Sequence, residues 1–503
     1  MMRTALLVFS LLLSVAATSA NPAETTEALD IGSRLELFVD DYLVESMEGV
    51  SLKLHEPRSA GTIISFDKPW EGNVSWQLSV FEDGDLYRLY YSGRSAPDYV
   101  KQSALKPGEI VIPEHPPFLC YAESSDGVHW TKPDLGLYKF NGSKQNNILG
   151  KAFGHLPAIG VPFLDTRPGV NPSERYKVPG HLSTRVGRGV SRGELILSSS
   201  PDGLRWKRWR EGGQPLFVTS LPNAFDSANV IFWSEWEQRY VLYFRYVSEG
   251  TRSFARTTSR DLLNWTEAVP CTFGGWMRPP EHLYTNAATP YYRAPHIYLS
   301  FPKRFVPLRK LNEKAVYPGI SEAVFMTSRD GIDWHTLMEA FIRPGRDKRN
   351  WIHRTTSTAA GIVATADDEI SLYVSRNYTY PSNHMERFVL RTDGFVSLNA
   401  PYSGGEFVTR PLRFSGSELV LNYATSAAGS IRVEIQDAKG NPLPGFALEE
   451  SPLIWGDEIE HTVRWKRTHA KATSDKPLAR IAGKPIRLRF VMKDADLYSL
   501  RFK

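Results

Sequence analysis

The 503-residue chain carries only two cysteines, Cys120 and Cys271. Two thiols cannot by themselves build a structural zinc site, which takes four ligands, nor a disulfide-dense scaffold. Cys120 sits in the apolar run Phe118-Leu119-Cys120-Tyr121, where a buried free thiol is the expected state; a Cys120–Cys271 bridge stays open. Long helical periodicity is absent, so a helical bundle is excluded. No segment beyond the first twenty residues is apolar for long enough to cross a membrane as a helix. Gly-x-Gly-x-x-Gly, Walker and Gly-x-Ser-x-Gly patterns are missing, which leaves nucleotide and serine-hydrolase chemistry without support. The histidines lack His-Glu-x-x-His spacing, so no catalytic metal or other cofactor is indicated; a lone structural calcium would leave no signature. The net charge is a modest +5, and no nucleic-acid motif accompanies it.

Aromatic residues, by contrast, reach 12%, with 13 Trp, 22 Tyr and 25 Phe, a composition that suits strands and sugar-binding clefts. Gly and Pro, 37 and 34 in number, punctuate the chain as many short strands require. At the N-terminus, Arg3, the apolar run Ala5 to Val15 and the small residues Thr18-Ser19-Ala20 read as a signal peptide over residues 1–20, which implies a secreted or periplasmic protein. The densest basic stretch, residues 301–314, has two readings: a solvated loop, or a surface that meets an anionic polysaccharide.

One motif recurs. Ser124-Ser125-Asp126-Gly127-Val128-His129-Trp130 returns as Ser200-Pro201-Asp202-Gly203-Leu204-Arg205-Trp206, as Ser259-Arg260-Asp261-Leu262-Leu263-Asn264-Trp265 and as Ser328-Arg329-Asp330-Gly331-Ile332-Asp333-Trp334. A weaker echo is Arg391-Thr392-Asp393-Gly394-Phe395. In such a turn Asp accepts backbone N–H groups, Gly takes positive φ and Trp plugs between neighbouring sheets. Strand-like runs such as Leu86–Tyr91, Tyr240–Arg245 and Ile297–Ser300 precede the motifs. Repetition of a three- or four-stranded unit predicts propeller blades, here at about 60–135, 155–212, 223–270, 281–340 and 350–395. The expected fold is all-β: a five-bladed β-propeller over 30–395, followed by a C-terminal β-sandwich over 396–503 that braces it or binds sugar. The run Leu35–Val44 is a candidate for the strand that closes the ring, and Tyr99–Pro117 reads as a loop over one face.

These turns, with Phe163-Leu164-Asp165 opening the second blade, resemble those of five-bladed propeller glycosidases near glycoside hydrolase families 32 and 43, in an exported bacterial branch. The resemblance implies a carbohydrate substrate. The Asn-Asp-Pro and Glu-Cys-Pro tripeptides of the invertase group are absent; Leu164-Asp165-Thr166-Arg167-Pro168 matches its Arg-Asp-Pro only loosely, and Ala224-Phe225-Asp226-Ser227 stands in place of the acid motif.

Glycoside hydrolysis needs two carboxyl groups across the scissile bond. Acids that open blades converge at one tunnel mouth, which makes Glu71, Asp165, Asp226 and Glu281 the candidate catalytic residues, with Asp67 an alternative to Glu71. Trp70, Arg293, His296, His353 and Arg354 are the candidate substrate-binding residues, the arginines suiting a carboxylate or sulfate on the sugar. Each acid also has a bland reading as a turn residue or ion-pair partner. The expected function is an exported glycoside hydrolase with carboxylate acid/base catalysis; the alternative is a non-catalytic carbohydrate-binding or scaffold propeller.

Overall fold

The computed structural model describes residues 27–97, 114–151, 160–187, 190–210, 214–311, 317–465 and 477–503. The signal segment and most of the Tyr99–Pro117 insertion lie outside the described residues. The fold is all-β, and its described helices are short 3₁₀ turns at Pro172–Glu174, Lys348–Asn350 and Pro477–Arg480.

The sheets stand in a propeller-like arrangement. Sheet 1 holds Trp76–Asp83, Leu86–Gly93, Phe118–Ser124 and Ile148–Lys151. Sheet 2 runs from Phe163–Leu164 to Phe217–Thr219, and sheet 3 from Val230–Ser234 to Val269–Pro270. Sheet 4 has seven strands between Thr272–Phe273 and Asp333–Ile342. Sheet 5 joins Ser357–Thr358, Val363–Ala366, Glu369–Arg376 and His384–Arg391 to Arg58–Ser65, a strand from before sheet 1. The central strand Arg239–Ser248 is buried on both faces because neighbouring sheets cover each side, which explains its dense aromatic run in place of strict alternation.

Apolar cores fill the spaces between successive sheets. Tyr90 and Leu119 of sheet 1 pack with Tyr176 and Trp206 of sheet 2. Leu195 and Leu197 meet Tyr240 and Phe244 across sheets 2 and 3, and Tyr243 meets Trp334 across sheets 3 and 4. Phe325 and Leu372 join sheets 4 and 5. Leu89 and Tyr373 then join sheet 5 back to sheet 1. Each fully buried side chain of this size contributes about 1.5–3 kcal/mol. Cys120 and Cys271 are free thiols in two different cores.

The repeated turn explains the spacing of these contacts. In all four motifs the Asp Oδ1 accepts the backbone N–H groups two and three residues on, at 2.8–2.9 Å. A tyrosine of the preceding sheet then caps the turn: Tyr90 donates to the Gly203 carbonyl at 3.1 Å, Tyr243 to Gly331 at 2.7 Å and Tyr373 to Gly127 at 2.5 Å. Gly331 has φ of +74°, and a Cβ there would lie 2.7 Å from the Tyr243 hydroxyl, so conformation and space both demand glycine. Tyr243→Phe leaves a buried carbonyl without its donor and is expected to cost about 1–3 kcal/mol. A urea midpoint lowered at constant m-value would show it; an unchanged midpoint would contradict it.

The remaining strands form one ten-stranded sheet around two long ones, Leu419–Asp437 and Ile486–Phe502, which pair antiparallel. The N-terminal strands Leu29–Gly32, Glu36–Leu37, Val44–Glu48 and Ser51–Leu54 belong to this sheet. The Leu35–Val44 run therefore does not pair with sheet 5; Arg58–Ser65 does. The physical reason is that the run is apolar on both sides. Leu35, Leu37 and Val39 pack on the core of sheets 4 and 5, while Phe38 and Leu43 pack into the ten-stranded sheet's own core, Phe38 edge-on to Phe407.

Candidate functional site

The inner edges of the sheets converge. Ser79 bridges to Ala360 and Gly160 to Asn229, both in parallel, and Val161, Val230 and Ala360 share one small core. Beside it opens a cavity of about 250 Å³, lined from sheet 1 by Trp76–Leu78, from the start of sheet 3 by Asp226–Ala228, from sheet 4 by Tyr284 and Lys303, and from sheet 5 by Arg354. Arg94 and Tyr378 complete the wall.

The backbone around this cavity is strained. Phe225, Ala287, Arg354 and Thr356 are non-glycine residues with φ between +45° and +66°. Such residues persist only where surrounding packing over-determines them, and they cluster at functional sites. Phe225 shows how: its ring is buried against Phe244, with centroids 4.7 Å apart, and its left-handed backbone turns the next residue, Asp226, out to the cavity.

Of the four expected acids, only Asp226 lines the cavity. Its side chain is 65% exposed and accepts from Arg245 Nη2 at 2.5 Å. Asp165 is fully buried, bonded to Lys177 Nζ at 2.5 Å, the Tyr240 hydroxyl at 2.8 Å and the Arg167 N–H at 3.1 Å. Glu71 is buried too, held by Lys132 at 2.7 Å and the Tyr91 hydroxyl at 2.5 Å. Glu281 pairs with Arg304 at 3.2 Å, and exposed Asp67 reaches Lys132 at 3.4 Å.

The expected sugar-binding residues divide in the same way. Trp70 donates to Asn147 and packs edge-on to Phe140 within the core of sheets 5 and 1. Arg293 spans Asp393 and Glu460, and His296 lies 3.2 Å from buried Glu36; both contacts tie sheet 4 to neighbouring units. Arg354 lines the cavity. His353 next to it is held neutral, its pKa lowered to about 3 by burial and by the charges of Arg354 and Lys303. The structure thus brings Asp226, His353 and Arg354 together and leaves the other six elsewhere.

Three cations converge on one ring that sequence reasoning did not single out. Lys303 Nζ lies 4.7 Å from the Tyr284 centroid, and the guanidinium carbons of Arg252 and Arg245 lie at 4.8 and 5.1 Å. Lys303 belongs to the basic 301–314 stretch, whose density was the available signal, but it is buried rather than displayed. Burial and the charges of Arg354, Arg245 and Arg252 lower its pKa to about 7. Arg245 closes the aromatic run Tyr240–Arg245, where nothing but position marks it. Among the described residues, no group of three or more His, Cys, Asp or Glu could hold a metal ion, and no helix is long and apolar enough to cross a membrane.

No family model matches the chain, and no curated protein does. Among solved structures, the chain is similar to a glycoside hydrolase at 11% identity and a TM-score of 0.42, covering 67% of this chain and 92% of that one. A β-1,2-mannobiose phosphorylase from Listeria innocua matches at 12% and 0.42, covering 65% and 94%. A family 32 β-fructofuranosidase from Bombyx mori matches at 12% and 0.40, covering 88% and 94%.

Proposed function

We propose that the chain is an exported, carbohydrate-active five-bladed β-propeller with a C-terminal β-sandwich, and that a saccharide occupies the cavity where the inner edges meet. The observation that carries this reading is the cavity wall itself. Trp76, Tyr284 and Tyr378 offer apolar ring surface for a sugar, and Asp226, Lys303 and Arg354 offer fixed polar groups beside it. The two-core packing of residues 29–54 supports the sandwich as a brace for the ring.

Recognition is the reading that the charges favour. Hydrolysis needs a second carboxyl group facing the first, and among the described residues that line the cavity Asp226 is the one carboxylate. All four expected acids, Asp226 included, are tied to a cation. Hydrolysis is the second reading, favoured by the exposure of Asp226 to the cavity. A reducing-end assay over a panel of plant and algal polysaccharides, run beside affinity electrophoresis, separates the two. The proposal expects retardation of at least one polysaccharide without release of reducing ends. Release that Asp226→Asn lowers by about 10²–10⁴-fold would establish the hydrolase instead. No retardation and no release across the panel would overturn both.

A further inference from the structure

At the cavity, Arg245, Arg252 and Lys303 share one carboxylate, Asp226, among the described residues. Arg245 is 4% exposed; its Nη2 pairs with Asp226, while its Nε and Nη1 have no hydrogen-bond partner among the described residues. Arg252 donates to no carboxylate among the described residues; its Nη1 meets His282 Nδ1 at 3.2 Å. Lys303, 6% exposed, lies against the same tyrosine, and the charges that act on it most are those of Arg354, Arg245 and Arg252. A buried cation persists where something compensates it. Among the described residues Asp226 compensates one, and Arg252 and Lys303 are held against the Tyr284 ring with no carboxylate bonded to them.

We propose that Arg245, Arg252 and Lys303 form an anion subsite that takes the carboxylate or sulfate group of an acidic saccharide, a proposal that rests on the reading of the cavity as a saccharide site. A guanidinium fork matches both groups bidentately, and the ammonium adds a point charge. The subsite also has a proton signature. An anion raises the Lys303 pKa from about 7, so at pH 8 binding takes up a proton. The other titratable and charged groups around Lys303 are Arg354, Arg245, Arg252, Tyr284 and His353, with Asp226 across the cavity wall, His282 against Arg252 and His181 beside Asp226 and Arg245. The arginines stay charged, and burial lowers the pKa of His353, His282 and His181 below 6.5, so all three histidines are neutral at pH 8 and Lys303 is the group that exchanges the proton.

The test is titration calorimetry of the full chain at pH 8 in two buffers of different ionisation enthalpy. The probes are trigalacturonate with its methyl ester, and a sulfated galactan oligosaccharide with its desulfated form. The carboxylate and sulfate pairs distinguish the two sources of the anion. Expected are tighter binding of one acidic probe than of its neutral counterpart, and proton uptake that Lys303→Met abolishes. Arg245→Met and Lys303→Met should each weaken the acidic probe by about 30-fold or more, a loss well beyond any they cause for the neutral one. Arg252→Gln, at a more exposed position, gives a second variant should Arg245→Met fail to fold. Equal affinities for acidic and neutral probes in all three proteins would overturn the subsite while the saccharide site stands. Absence of binding by all four probes would overturn both.

Discussion

Asp165→Asn is expected to unfold the protein more readily, by about 3–5 kcal/mol, and to leave saccharide binding by the folded fraction unchanged. The carboxylate is fully buried and answers Lys177, whose side chain is 2% exposed, at 2.5 Å. Asparagine keeps the shape, the acceptor for Arg167 N–H and much of the contact with Tyr240, yet it leaves the lysine's charge in the core with no counter-charge. The penalty comes from that stranded ammonium. Lys177→Met in the same chain should therefore recover most of the loss, because two well-packed neutral groups can replace a buried pair at little cost. Urea denaturation of the two single variants and the double one measures this. An unchanged midpoint accompanied by lost activity would return Asp165 to a catalytic role.

A second large effect is expected in acid. Glu36 is completely buried, 2.8 Å from Arg329 and 3.2 Å from His296, with Arg34 at 2.5 Å. Burial alone would raise its pKa; His296 and Arg329 outweigh it and hold the carboxyl at about 2, below its ordinary 4.5. The ionised form is thus the one that folding favours. Its contribution is present above pH 4.5 and fades as the pH falls toward 2, a loss on the order of 3 kcal/mol. Because Arg329 also binds Asp40, this network joins the N-terminal segment to the fourth motif turn. Stability measured from pH 5 to 2 should fall in the wild-type chain and be flatter in Glu36→Gln. Parallel curves would remove Glu36 from the account.

The repeat was legible because the turn it encodes is local: Ser, Asp, Gly and Trp act within seven residues, and the same Asp and Ser bonds appear at 126, 202, 261 and 330. Leu262, with φ of +64° where the other motifs have Gly, shows that the turn tolerates one strained substitution when its side chain is buried. The cavity was half legible. Asp226 and Arg354 stand where blade-opening logic put them, but that logic gives position along the chain and not pairing across it. Lys132 lies 61 residues from Glu71, Lys177 is 12 from Asp165, and the sheet register that sets them opposite has no marker in the sequence. Lys303 misled in the other direction. A basic stretch looks solvated until a fold buries one member of it against Tyr284. The placement of residues 29–54 was invisible for a related reason: their alternation serves two cores at once.

A saccharide is proposed to sit where the inner edges of the sheets meet. A crystal structure of the full chain soaked with the tightest-binding oligosaccharide of the panel tests it most directly. Sugar density is expected between Trp76 and Tyr284, within hydrogen-bond reach of Asp226. Density on the ten-stranded sheet, with this cavity holding only water, would contradict it.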